Sequence, residues 1–63
     1  MKVGILANPN KKGVDQIIKN LCRSLEREKL TPVLETATAE IINAAGGIAP
    51  KELAATCDLV AVL

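Results

Sequence analysis

The residues best suited to chemistry lie in one short segment, residues 8–13, which has two lysines, Lys11 and Lys12, beside Asn8 and Asn10. This segment, the 8–13 loop, joins an apolar run to an amphipathic stretch, so it is predicted to connect a strand to a helix. Free N–H groups at a helix N-terminus attract phosphate, and lysine charges strengthen that attraction. We therefore predict that Asn8, Lys11 and Lys12 bind a phosphate-bearing cofactor; a solvated turn is the alternative.

No other pattern in the chain predicts a catalytic group. There is no histidine, and the 8–13 loop lacks the glycines of a P-loop or of a dinucleotide-binding fingerprint. Asp58 precedes the last apolar run, so it is expected about 16 Å from the strand ends at which parallel sheets bind ligands. Glu35 ends the second predicted strand at that edge, but the sequence offers no partner for it. We therefore assign no catalytic residue and no metal ligand.

Charge and cysteine content exclude several classes of protein. Eight basic and seven acidic residues leave a net charge of +1, and no aromatic residue is present, so no stacking surface for nucleic acid is expected. No apolar run reaches about 18 residues and the N-terminus is not a secretory signal, which predicts a cytoplasmic protein with no membrane partner. Cys22 and Cys57 match no metal-binding spacing and are predicted to be reduced, partly buried thiols.

The clearest predicted element is a helix over residues 14–29. Its apolar residues recur at helical spacing, three or four positions apart, and the opposite face is polar. Asp15 in the first turn and Lys29 in the last both suit the helix dipole. The residues predicted to pack against a sheet are Ile17, Ile18, Leu21 and Leu25, with Cys22 on the same face.

Three apolar runs, residues 2–7, 31–35 and 59–63, are predicted strands. Helical connections of this length make them parallel, and we predict that the first strand lies between the other two. Pro32 cannot donate to a ladder, which puts the second strand at an edge or Pro32 near its start. The five consecutive apolar residues of the last run predict a central strand that is buried on both faces.

A weaker helix is predicted between the second and third strands. Thr36 or Thr38 could cap its start, and it is expected to run through Ala45 until Gly46 and the glycine after it end it. Pro50 then begins one further helical turn over residues 50–54. The chain of 63 residues has a purely aliphatic core, so its stability should be marginal.

Two segments of the chain resemble the first and third strands of NAD kinases. The first is residues 2–11, Lys-Val-Gly-Ile-Leu-Ala-Asn-Pro-Asn-Lys, and the second is residues 57–63, Cys-Asp-Leu-Val-Ala-Val-Leu. In that family the latter strand leads into a Gly-Gly-Asp-Gly-Thr loop with the catalytic aspartate. The resemblance covers nearly the whole chain. It implies a three-layer α/β fold, a parallel βαβαβ unit of flavodoxin or Rossmann type. Residues 1–63 would then be the partial N-terminal nucleotide-binding domain of a larger protein, the parent protein, with the NAD kinase/diacylglycerol kinase-like fold.

The resemblance also implies an activity for the parent protein. An NAD kinase transfers a phosphoryl group from ATP, or from another donor, to the 2′-hydroxyl of NAD and so forms NADP. Mg²⁺ or another divalent metal accompanies the donor phosphates. NAD and ATP would be the substrates, and we expect the parent protein to be a homo-oligomer. The 63 residues alone are expected to be inactive, because the family's catalytic residues lie outside them.

Two alternatives remain open. Lipid and diacylglycerol-type kinases also end their first strand in an Asn-Pro turn, which residues Asn8 and Pro9 match. A non-catalytic flavodoxin-like or receiver-like module is the second alternative. A receiver would need acidic residues where Asn8 stands, and a flavin-binding module would need a hydroxyl-rich loop, whereas the 8–13 loop has no hydroxyl.

Overall fold

The sheet is built around its first strand, as the sequence predicts. The computed structural model describes all 63 residues, and both outer strands pair with the central one in parallel, in the order β2-β1-β3. The predicted topology is therefore confirmed as a small α/β domain. The elements in chain order are β1 Lys2–Leu6, α1 Val14–Arg27, β2 Thr31–Leu34, α2 Thr36–Ile41, α3 Pro50–Thr56 and β3 Leu59–Val62.

Strand β1 is the core of the domain. Its backbone pairs on both edges, with Val3 opposite Pro32 on one side and opposite Leu59 on the other. Side chains alternate between the two faces of a strand, so Val3 and Ile5 point to one face, and both are buried. Pro32 is the second residue of an edge strand, where its missing N–H costs no bond to a neighbour, as predicted.

Helix α1 covers the first face of the sheet. Val14 and Ile18 form a buried cluster with Ala7, and Cys22 packs at its margin, so the buried line of the helix runs through these positions. Ile17 is 37% exposed, which corrects its predicted place in the core. The hydrophobic stripe is wider than the contact with a narrow three-stranded sheet, and its border residues stay in solvent.

Helices α1 and α2 end earlier than predicted, and both end in the same way. α1 stops at Arg27 and not at Lys29, because Lys29 adopts φ 62°. α2 stops at Ile41 and not at Ala45, because Asn43 adopts φ 54°. In each helix the following N–H groups fold back onto the last turn, as in a Schellman motif: Leu30 to Leu25 at 2.8 Å, and Ala44 to Ala39 at 2.9 Å. The usual glycine signal is missing at both stops.

Helix α3 covers the opposite face of the sheet. It begins with Pro50 at its first position, as predicted, but it continues to Thr56 instead of ending after one turn. Leu53 is its buried anchor and lies against Gly4 of β1, on the face away from Ile5. None of the three helices has the length and apolar character needed to cross a membrane.

Strand β3 is an exposed edge strand, which corrects the prediction of a doubly buried one. Leu59 is 58% exposed and Val62 is 74% exposed. A run of apolar residues shows that a strand tolerates burial, but neighbouring elements decide whether it is covered. In the order β2-β1-β3 only the central strand has a neighbour on each side, and the neighbouring Leu59 and Val60, which point to opposite faces of β3, are both exposed.

Candidate functional site

The 8–13 loop leaves the carboxyl end of β1 directly beside the carboxyl end of β3. The Leu63 N–H donates to the Leu6 carbonyl at 2.9 Å, and the Asn8 N–H donates to the Leu63 carbonyl at 3.1 Å. These bonds extend the parallel ladder to Asn8, two residues beyond β1, and to Leu63, one residue beyond β3. The three residues predicted to bind a cofactor therefore lie at the sheet edge where parallel α/β proteins bind ligands.

The Asn8 side chain organises the loop. Its Oδ1 accepts from the Asn10 N–H at 3.0 Å, which forms an Asx turn. The backbone carbonyl of Asn8 accepts from the Lys11 N–H at 3.1 Å, and the backbone carbonyl of Lys11 accepts from the Val14 N–H at 3.2 Å. Because the side-chain Oδ1 of Asn8 already accepts a hydrogen bond within the turn, the side-chain NH₂ is the group that could bind a ligand, as a donor.

The start of α1 offers uncapped donors beside the two lysines. The N-cap residue is Gly13, at φ 73°, and no side chain caps the helix. The first acceptor within the helix is the Gly13 carbonyl, which bonds the Ile17 N–H at 3.2 Å. The N–H groups of Asp15 and Gln16 come before this bond and have no backbone acceptor. Lys11 and Lys12 are both exposed. Together they make a local concentration of positive charge, which the Asp15 carboxylate partly offsets.

A buried polar cluster that the sequence did not reveal lies next to this loop. Glu35 is only 7% exposed, and Thr38 is fully buried. The Glu35 carboxylate accepts from the Ala37 N–H at 2.8 Å, from the Thr38 N–H at 3.1 Å and from the Thr38 hydroxyl at 2.9 Å. The Thr38 Oγ1 in turn accepts from the Ala7 N–H at 2.9 Å, one residue before the loop.

Glu35 is therefore the N-cap of α2, where Thr36 or Thr38 was predicted, and it is not without partners. The hydrogen bonds from Ala37 and Thr38 favour the charged carboxylate and lower the pKa of Glu35, although burial opposes them. Glutamate is a rare N-cap compared with Ser, Thr, Asp or Asn, so the sequence signal favoured the threonines. An acid at the end of a strand, with a threonine three positions later, is the pattern that could have indicated this cap.

The remaining candidate groups are structural. The Asp58 Oδ2 accepts from the Lys2 N–H at 2.8 Å, at the end of the sheet opposite the 8–13 loop. Cys22 and Cys57 are free, half-buried thiols, as predicted. Burial and the nearby Glu26 carboxylate raise the pKa of Cys22, which makes it a poor nucleophile.

The site as a whole is suited to neutralise an anion at an open edge. It has two exposed lysines and two free backbone donors at the start of α1. No group of three acidic, histidine or cysteine residues could hold a metal ion, and the surface has no enclosed pocket. No protein-family model, curated protein or solved structure matches the chain.

Proposed function

We propose that the chain is the N-terminal part of an NAD kinase, with the flavodoxin-like arrangement of the NAD kinase/diacylglycerol kinase-like fold. The observation that carries this proposal is the hydrogen bond from the Asn8 N–H to the Leu63 carbonyl, at 3.1 Å. It sets the cationic 8–13 loop beside the end of β3, and in the family that β3 resembles, the nucleotide-binding loop follows this strand.

In this proposal the 8–13 loop assists binding and takes no part in proton transfer. Lys11 and Lys12 neutralise the donor phosphates of ATP, and the free N–H groups of Asp15 and Gln16 add directed donors at the helix start. Asn8 shapes the turn that presents them. The residues present fit a phosphate group, but they do not fit a metal ion, because no carboxylate cluster lies at this edge. A divalent cation would be held by residues of the parent protein beyond this segment.

A lipid or diacylglycerol-type kinase is the second candidate, because one observation fits it as well as the first. The Asn8 Oδ1 to Asn10 N–H turn is built on the Asn-Pro pair at the end of the first strand, which these kinases share. The two candidates use the same phosphoryl donor and differ in the acceptor hydroxyl. The acceptor therefore has to be identified by experiment.

The test uses the complete product of the coding region that contains these 63 residues. The purified protein is incubated with ATP, Mg²⁺ and either NAD, diacylglycerol or a sphingoid base, and NADP is measured with an NADP-specific dehydrogenase. We expect NADP from the complete protein and none from the 63-residue chain alone. Phosphorylated lipid without NADP would support the second candidate, and no phosphoryl transfer to any acceptor would reject both.

A further inference from the structure

The connection between β2 and α2 leaves the Ala7 N–H without its ordinary ladder partner. In a continuing parallel pair, Glu35 would donate to Ile5 and accept from Ala7. The first of these bonds is present, at 3.1 Å. The second is not, because the Glu35 carbonyl accepts from the Ala39 N–H at 2.9 Å, as the first acceptor of α2.

The Thr38 hydroxyl replaces this missing acceptor. Its Oγ1 lies 2.9 Å from the Ala7 nitrogen and 2.9 Å from the Glu35 Oε1. A hydroxyl has one proton and two lone pairs. Since Glu35 is an acceptor only, the Thr38 proton points to the carboxylate and a lone pair remains for Ala7. The ionised Glu35 therefore determines the direction of both hydrogen bonds. Together they form a relay, from the Ala7 N–H to Thr38 and from Thr38 to Glu35.

The relay lies directly at the base of the 8–13 loop. On one side of β1, Thr38 holds the Ala7 N–H; on the other, the Leu63 carbonyl holds the Asn8 N–H at 3.1 Å. Two successive peptide groups are thus bonded to different elements, α2 and the end of β3. The loop that carries Lys11 leaves the sheet from a point that cannot rotate without breaking one of these bonds.

We propose that Glu35 and Thr38 are positioning residues for the 8–13 loop, and that they hold the Ala7–Asn8 backbone so that the lysines and the free N–H groups of α1 converge on one phosphate. The inference rests on the proposed function only for the identity of the ligand. Neither residue touches that ligand. Both act through the backbone at the carboxyl end of β1.

The experiment is amide hydrogen exchange by NMR on the 63-residue chain, with three variants. Thr38→Val keeps the shape but removes the hydroxyl, and Thr38→Ser keeps the hydroxyl. Thr36→Val is the matched control, since Thr36 is exposed on the same helix. We expect the Ala7 amide to exchange about tenfold faster in Thr38→Val, as the loss of one hydrogen bond implies. In Thr38→Ser and Thr36→Val its exchange rate should be unchanged. The Asp58 amide, at the far end of the sheet, is the internal reference.

A second measurement needs no variant. In the unmodified chain, the Thr38 hydroxyl proton should exchange slowly enough to be observed and should show a nuclear Overhauser effect to the Ala7 amide proton. If Thr38→Val does not fold, this measurement decides. A hydroxyl proton that exchanges freely with water, or Ala7 and Asp58 amides that accelerate equally in Thr38→Val, would overturn the proposal.

The positioning role has its own readout. Titration of the chain with ATP should shift the Lys11 and Lys12 amide resonances, with an apparent affinity several-fold weaker in Thr38→Val and unchanged in Thr36→Val and Thr38→Ser. Equal affinities in all four proteins would overturn the role of Thr38. If ATP shifts no resonance in the unmodified chain while Ala7 remains protected, the nucleotide assignment fails. The relay then stands only as a structural device that fixes the Ala7–Asn8 backbone, and its role in positioning a ligand is rejected.

Discussion

Gly4 and Leu53 lie so close together that a β-carbon on Gly4 would be only 2.8 Å from the Leu53 Cγ and 3.1 Å from the Cys57 Sγ. This contact joins the central strand to α3 and closes the second face of the sheet. The sequence predicts close packing at Gly4, because a glycine inside an apolar strand leaves room for a neighbour, and the structure identifies Leu53 as that neighbour.

Gly4→Ala should lower the free energy of unfolding by about 1–3 kcal/mol, because the added methyl overpacks the contact with α3. Urea denaturation followed by circular dichroism would measure it. Leu53→Ala makes room for the methyl, so the double variant should lose less stability than the sum of the two single variants. Strict additivity of the three values would show that Gly4 and Leu53 are not coupled.

Ile18→Ala should be far more costly than Ile17→Ala. Ile18 is fully buried against the sheet, whereas Ile17 is 37% exposed. Truncation of a buried isoleucine costs about 2–5 kcal/mol, and the neighbouring substitution should cost less than about 1 kcal/mol. The two variants have the same composition, so each is the control for the other. Equal losses in urea denaturation would mean that α1 is rotated relative to the sheet.

Stability should fall in acid through Glu35. Its pKa is lowered in the folded state, so the ionised carboxylate stabilises the fold above the ordinary glutamate pKa of about 4.3. That contribution is lost as the pH falls from this value through the lowered one. Glu35→Gln should cost about 0.5–2 kcal/mol at pH 7 and should flatten the dependence of stability on pH below about pH 4.3. Glu40→Gln, at an exposed position of the same helix, should leave that dependence unchanged.

Lys29→Gly should stabilise the chain, although most glycine substitutions do not. Lys29 adopts φ 62° where α1 ends, a conformation that strains every residue with a β-carbon. We expect a gain of about 0.5–1 kcal/mol in the free energy of unfolding, after the larger unfolded-state entropy of glycine is taken into account. Lys19→Gly, in the middle of the same helix, should instead cost about 1 kcal/mol. A lower free energy of unfolding in both variants would contradict the left-handed conformation of Lys29.

Replacement of Lys11 and Lys12 by alanine in the complete gene product should raise the KM for the phosphoryl donor more than it lowers kcat. Because both side chains are exposed, the effect should be about tenfold or less, and it should be largest at low salt. The control is the double alanine variant of Lys2 and Lys19, which removes the same charge; both residues are exposed, Lys2 at the opposite end of β1 and Lys19 within α1. Unchanged kinetics at low salt would show that the two loop lysines serve only solubility.

Local signals predicted several features that the structure confirms. The turn at Asn8 and Pro9, the proline start of α3 and the amphipathic pattern of α1 each depend on contacts within a few residues. Strand order also followed, because Pro32 is tolerated only near a strand start or at an edge. The early helix ends at Arg27 and Ile41 could not be predicted. They depend on the left-handed conformations of Lys29 and Asn43, which a residue other than glycine adopts only when folding back of the chain compensates for the strain.

The candidate site likewise has some features that depend on neighbouring residues and others that depend on contacts between distant segments. The composition of the 8–13 loop and its position after a strand can be read from the chain, because these are properties of neighbouring residues. Three features required the folded structure: Thr38 holds the Ala7 N–H across 31 positions of sequence, Glu35 is buried, and β3 is exposed. Partners of hydrogen bonds and coverage of strands depend on which elements meet in space, and meetings between distant segments leave no periodic pattern in a single sequence.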